Sequence, residues 1–251
     1  MNISEQELQI FSRQLILKEF DEKSFSNLQK QKITIVGIGG IGCPAAQYLV
    51  SAGIKKLKLI DGDVIQKTNL NRQILYTIHD IGKLKPETAK KKLNAINPQC
   101  NINSISSYIN SKNIEKHLND SSLIIDTTDN WKSMILINEY SVKHSIPLIS
   151  SSVVGFDSQI TLFKNSPDTH LCLQCIFPNN QEPDLARCDS VGVLGTAAGI
   201  AGLIVAQKTI NFFLENKIND NCITMVNMKS LKIENLRITK NNNCHCFQKN
   251  N

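Results

Sequence analysis

Three groups of residues have the types and spacing to do chemistry. The first is Gly37-Ile38-Gly39-Gly40-Ile41-Gly42, with Asp61 nineteen residues beyond Gly42. In such a run Gly37 permits a tight turn, Gly39 lets the backbone approach a phosphate, and Gly42 allows close helix–strand packing. A helix opening there offers its free N–H groups to an anion. Asp61 would accept hydrogen bonds from ribose hydroxyls. These features suit a dinucleotide and ATP equally.

The second group separates those two ligands. Asn69-Leu70-Asn71-Arg72-Gln73 and Lys85 follow the turn, and Asp129 lies further on in Asp126-Thr127-Thr128-Asp129-Asn130. Arginine and lysine beside phosphates would neutralise a triphosphate and stabilise charge developing at the α-phosphorus. Asp129 could hold Mg2+ through one carboxylate plus phosphate oxygens. Taken singly, Arg72 and Lys85 can be solvated surface charges, and Asp129 can be the N-cap of the following helix. Asp126 ranks below Asp129 because it sits inside the apolar run.

The third group is thiols. Cys172-x-x-Cys175 and Cys244-x-Cys246 form two close pairs that can make a closed tetrahedral Zn2+ site, with His245 able to replace one tail thiolate. The alternative is four unrelated thiols. Cys188 stands alone in a polar stretch, where a lone cysteine is either inert or a nucleophile.

The elements that must position these groups follow from periodicity. Residues 4–30 read as a helical arm, with Leu8, Phe11, Leu15 and Ile16 on one face. A strand ending at Val36, a helix to about Ala52 and a strand over 56–61 make a mononucleotide-binding βαβ unit. Residues 62–82 read as a long polar loop and 83–96 as a helix closed by Asn97-Pro98. A strand over 102–105, a helix over 112–118, a buried strand from Leu123, a helix over 131–144 and strands over 147–154 and 159–163 follow. The alternation predicts a Rossmann-like, mostly parallel α/β sheet flanked by helices, with ligands outside the carboxyl ends of its strands. Residues 165–191 form a crossover loop with no evident packed element. A long, nearly uncharged helix over 192–216 must be buried, and strands near 222–228 and 231–238 form an antiparallel terminal hairpin.

The 251 residues, 41% hydrophobic, suffice for one domain over 1–251, and no linker divides them. No apolar run is long enough for a membrane span, and the N-terminus lacks a signal-peptide pattern, so a cytoplasmic protein is expected. A net charge of +6 without a basic, aromatic-interleaved block argues against nucleic acid and suits a nucleotide or an acidic partner. Eight cysteines in such a chain suggest metal rather than a disulfide framework.

Together Phe11-Ser12-Arg13-Gln14, the glycine turn, Asp61-Gly62-Asp63 with Asn69-Leu70-Asn71-Arg72-Gln73, Asp80-Ile81-Gly82-Lys83-Leu84-Lys85, Thr128-Asp129-Asn130, and Cys172-Leu173-Gln174-Cys175 with the terminal Cys244-His245-Cys246 resemble the ThiF/MoeB/HesA family, relatives of the ubiquitin-activating enzymes. The resemblance covers nearly the whole chain. It implies adenylation of the C-terminal glycine carboxylate of a ubiquitin-like sulfur carrier ending in Gly-Gly, with release of pyrophosphate and a sulfur donor such as a cysteine desulfurase. It implies that Gly37, Gly39, Gly40, Gly42, Asp61, Asn69, Arg72, Lys85, Asp129 and Asn130 bind ATP, with Mg2+ on Asp129. It further implies that Arg13 reaches the partner's site in a homodimer, that Cys188 can carry sulfur, and that Cys172, Cys175, Cys244 and Cys246 bind zinc. Ser152-Val153-Val154-Gly155-Phe156 and the run from Phe177 to Pro183 resemble the branch whose carrier is ThiS, in thiamin thiazole synthesis; the molybdopterin-synthase branch is the alternative. Two details depart from the family: N-L-Q-R-Q reads N-L-N-R-Q, and the terminal C-x-x-C reads C-x-C. Readings from other classes are an NAD-dependent oxidoreductase, which leaves Arg72, Lys85 and the thiol pairs unused, and a non-catalytic zinc-stabilised interaction module.

Overall fold

A computed structural model describes residues 3–165, 171–178, 192–214, 221–241 and 244. Its centre is one eight-stranded sheet: β1 (Lys32–Val36), β2 (Lys56–Ile60), β3 (Asn101–Ile105), β4 (Leu123–Asp126), β5 (Leu148–Val154), β6 (Asp157–Phe163), β7 (Cys222–Asn227) and β8 (Lys232–Arg237). The spatial order is β3-β2-β1-β4-β5-β6-β7-β8. The pairings from β3 to β5 are parallel, and those from β5 to β8 are antiparallel. This is the expected Rossmann-like sheet with antiparallel C-terminal strands.

Burial explains the division. All four residues of β4 are buried, as are Ile33 to Val36 of β1, because helices cover both faces of the parallel half. β8 is exposed along its whole length, and Lys232, Glu234 and Arg237 mark it as a charged edge that resists pairing with another chain.

The register builds the site. Val36 pairs with Ile60 on one side and with Asp126 on the other. Gly37, Asp61 and Thr127 therefore leave the sheet at one level. β1 also lies where the strand order reverses, so a crevice opens there.

Helices α1 (Glu5–Leu15), α2 (Glu22–Lys30), α3 (Gly42–Ser51), α4 (Lys85–Ile96), α5 (Ile114–Leu118), α6 (Trp131–Lys143), α7 (Leu173–Ile176) and α8 (Gly195–Phe213) complete the described part. α8 buries small residues, Ala197, Ala198, Ala201 and Gly202 among them. A Cβ on Gly202 would meet the Ile41 carbonyl oxygen and Pro44 Cγ, each at 2.5 Å, so glycine sets the close approach of α8 to α3. Among the described residues no helix is long and apolar enough to cross a membrane.

Three expectations need correction. The N-terminal arm is two helices, because Asp21 caps α2 by accepting from Ser24 N at 2.8 Å. The break folds Phe20 back onto Phe25, which also packs against Phe11, while Leu8 and Ile16 point outward. The polar loop after β2 carries two 3-10 turns, Lys67–Asn69 and Ile78–Asp80. The crossover region contains a packed element, α7, whose Leu173 N donates to the buried Asn138 side chain at 2.9 Å.

α1 is pinned through Glu7. Its carboxylate accepts from Lys55 Nζ at 2.7 Å, from Gln29 Nε2 at 2.7 Å and from Ser4 N at 3.1 Å. Burial alone would raise its pKa, but Lys55, Gln29 and Ser4 together outweigh burial and lower it from 4.5 to about 2. The ionised form therefore favours the fold. That contribution is complete above about pH 4.5 and is lost as pH falls toward about 2. Glu7→Gln should cost about 2–3 kcal/mol at pH 7 and flatten the acid limb of a urea-melt pH profile; an unchanged profile would remove Glu7 as the latch.

Candidate active site

The glycine turn is built by exclusion. Gly37 adopts φ +91°, and a Cβ there would lie 2.8 Å from the Thr127 carbonyl oxygen. A Cβ on Gly42 would collide with the carbonyl oxygen of Gly37. Gly39 differs: the nearest group to its missing Cβ is Gln73 Nε2, at 3.7 Å. That room faces the crevice, which Gly37, Gly39, Gly40 and Ile41 line. α3 starts at Gly42 with no side-chain cap, which leaves its N-terminal end to an anion.

Asp61 fixes the turn. Its Oδ2 accepts from Ile38 N at 2.7 Å and its Oδ1 from Asp63 N at 2.8 Å. Burial raises its pKa against the opposing pull of Lys85 and these two N–H groups. Each carboxylate oxygen has a second lone pair for a ribose hydroxyl.

Arg72, Lys85 and Asp129, which are far apart in sequence, all line the same crevice. Lys85 is only 5% exposed, and its Nζ sits 2.7 Å from Asp63 Oδ2. The other Asp63 oxygen accepts from the Tyr108 hydroxyl. Arg72 lays its stem against Gly40 and donates from Nη1 to the Thr68 carbonyl oxygen at 3.0 Å. Asp129 is exposed and is not the helix cap, because Asn130 Oδ1 takes that place by accepting from Ser133 N at 2.9 Å. This removes the capping explanation for Asp129 and uses part of Asn130. Asp126 is buried: Thr128 N and Oγ1 donate to its Oδ1, and burial pushes its pKa up to about 6.

Other expected residues lie elsewhere. Asn69 is buried and caps its own turn, accepting from Gln66 N at 3.0 Å, and does not line the crevice. Gln73, four residues on, does line it, with a buried Oε1 that has no hydrogen-bond partner. Gly42 supports the turn from behind. Arg13 is exposed on α1 and outside this chain's crevice lining. Cys188, His245 and Cys246 lie outside the described residues. Sequence reasoning missed Gln73, Asp63 and Tyr108 as wall residues; only the first two stand inside recognisable motifs.

The thiol group assembles. The sulfurs of Cys172, Cys175 and Cys244 all lie within 4.8 Å of one another, and Cys172 and Cys244 Sγ are 3.4 Å apart. Ligands on a tetrahedral Zn2+ at about 2.3 Å would stand about 3.8 Å apart. Three sulfurs thus fit three corners of a zinc site that joins α7 to the C-terminal tail.

A nucleotide-type crevice at the switch point of a Rossmann-like sheet, with two cations and an exposed carboxylate in its lining, defines the class. The chain belongs to the ThiF family, whose profile matches residues 11–246. It is 36% identical over 238 residues to the adenylyltransferase and sulfurtransferase MOCS3-1 of Drosophila pseudoobscura pseudoobscura, covering 94% of this chain and 52% of that protein. MOCS3 of Aedes aegypti is 34% identical over 217 residues, covering 85% and 49%. The chain spans about half the length of the curated relatives it matches. Among solved structures, E. coli MccB with MccA-N7isoASN superposes with a TM-score of 0.82 at 22% identity, over 95% of this chain and 74% of that one. At that identity the likeness speaks for the fold.

Proposed function

We propose that this chain adenylates the C-terminal carboxylate of a ubiquitin-like carrier protein, as one adenylation unit over residues 1–251. The observation that carries this reading is that Lys85, Arg72 and Asp129 line the same crevice as the open backbone at Gly39. An NAD site needs the glycine turn and Asp61 but no carboxylate placed to hold Mg2+ on a phosphate, which the exposed Asp129 offers here.

The chemistry follows. A carrier carboxylate oxygen attacks the α-phosphorus of ATP, the bond from that phosphorus to the bridging oxygen breaks, and pyrophosphate leaves with the electron pair. A carboxylate is already ionised at neutral pH, so no general base is required. The obstacle is repulsion between two anions. Lys85 and Arg72 offset it, and Mg2+ held by Asp129 and phosphate oxygens would offset it further. Asp61 positions the ribose. Arg13 acts in a partner's crevice in a homodimer.

The likeness to MOCS3 proteins supports a carrier of the molybdopterin-synthase type better than ThiS. ThiS is the second reading, favoured by the run from Ser152 to Phe156. The sulfur carried onward would come from a donor such as a cysteine desulfurase. ATP–pyrophosphate exchange with each carrier, side by side, tests both. Exchange is expected only with a carrier ending in Gly-Gly, and faster with the molybdopterin-type carrier. No exchange with either, or tight NADH binding in place of ATP, would defeat the adenylation reading.

A further inference from the structure

We propose that Tyr108 is the platform on which the base of the bound nucleotide stacks, and that Gly62 lacks a side chain so that this ring can lie there. The proposal rests on the reading of the crevice as an ATP site and goes beyond it to a residue outside every motif above.

Tyr108 follows β3, next to the end of β2 where Asp61 stands. A Cβ on Gly62 would lie 2.5 Å from Tyr108 Cδ2 and 2.6 Å from Cε2 and Cγ. Gly62 has no left-handed backbone to explain it; the ring does. The hydroxyl donates to Asp63, whose second oxygen holds Lys85. The peptide carbonyl of Tyr108 accepts from Asn113 Nδ2 at 2.9 Å. The residue is thus held at ring, hydroxyl and backbone, yet it is 65% exposed and lines the crevice.

An aromatic ring fixed in place with that much of it in water gives up side-chain freedom while burying only a minor part of its apolar surface. A flat ligand laid on it would recover the burial. Direction identifies that ligand. Phosphates belong at the glycine turn after β1, and ribose belongs at Asp61 after β2. Continuing across the sheet, the base comes to the end of β3, where Tyr108 is. Stacking uses the π face common to all bases and reads no base edge.

The test is calorimetric titration of Mg-ATP, and separately of inorganic tripolyphosphate, into wild type, Tyr108→Ala, Tyr108→Phe, Gly62→Ala and the double alanine variant. Tyr108→Ala should weaken ATP about tenfold and leave tripolyphosphate within about twofold. Tyr108→Phe should stay within about threefold of wild type for ATP. Gly62→Ala should match Tyr108→Ala by expelling the ring, and should cost nothing further once the ring is gone. Unchanged ATP affinity in Tyr108→Ala would overturn the proposal, as would an equal loss for tripolyphosphate, which would assign the effect to Asp63 and Lys85. Should Gly62→Ala not fold, Tyr108→Ala decides alone, since its exposed side chain is not part of the core. A wild-type protein that binds no ATP would overturn the adenylation reading itself, a result distinct from wild-type binding that Tyr108→Ala fails to weaken.

Discussion

Lys85→Ala is expected to slow carrier-dependent pyrophosphate exchange by about 10²–10³-fold, with little change in melting temperature. Three features of the residue lead to this. It is the first residue of α4, so its backbone is fixed, and Lys85 N donates to the Asp63 carbonyl oxygen at 3.0 Å. Its side chain is 6% exposed, so its charge acts in a less screened setting than a surface lysine. Its Nζ is already aimed by Asp63 at 2.7 Å, so little reorganisation is needed when a phosphate arrives. Asp63 itself is half in water, its side chain 46% exposed, so losing the partner leaves a carboxylate that solvent can satisfy. Activity and stability should therefore separate. The measurement pairs exchange rates at saturating and limiting ATP with a thermal melt. A loss below about fivefold would remove Lys85 from the phosphate site, and a large drop in melting temperature would make it a structural residue instead.

The second large effect concerns metal. The purified protein is expected to hold one zinc per chain, and Cys172→Ser or Cys244→Ser to release it and lower the melting temperature by roughly 10 °C. Cys172 is fully buried and Cys244 is 5% exposed, and their sulfurs approach to 3.4 Å. Zn2+ bound there would take both sulfurs as thiolates and hold them at that separation, so metal binding and local folding would be one event. The loss should fall on the tail and α7 rather than on the sheet, so far-UV circular dichroism below the transition should be unchanged. Cys100→Ala is the control: Cys100 is also buried, at 3% exposure, but belongs to the core and not to the thiol cluster. Metal analysis by mass spectrometry settles the matter. Metal-free protein with the wild-type melting temperature would end the zinc assignment; where zinc is found, His245→Ala against Cys246→Ser shows which tail residue supplies the fourth ligand.

Parts of this protein were legible one segment at a time. The apolar runs of β1, β2 and β4, the glycine turn and the helix over Lys85–Ile96 are local signals, because strand period, helix period and glycine's backbone freedom act within a few residues. Boundaries were less secure where side chains compete. The break between α1 and α2 turned on Asp21 capping and on three phenylalanines meeting, and the second of these is a tertiary event. α7 was unreadable because a four-residue helix has too short a pattern and depends on Asn138 for support.

Asn69 and Gln73 show the limit within one motif. Sequence alone offered Asn69 and passed over Gln73; in the fold the Asn69 side chain serves the backbone of its own 3-10 turn, while Gln73 lines the crevice.

By itself, then, the sequence determined a βαβ unit with a nucleotide-type turn, an acid at the second strand end, two nearby cations and two thiol pairs. The tertiary structure alone decided which of these face one another. β1 lies between β2 and β4, so Asp61 and Asp129 share a crevice. Lys85 meets Asp63 across 22 residues, Tyr108 meets it across 45, and Cys172 meets Cys244 across 72. Such partnerships depend on strand order and on loop closure over long stretches of chain, and no local periodicity encodes them.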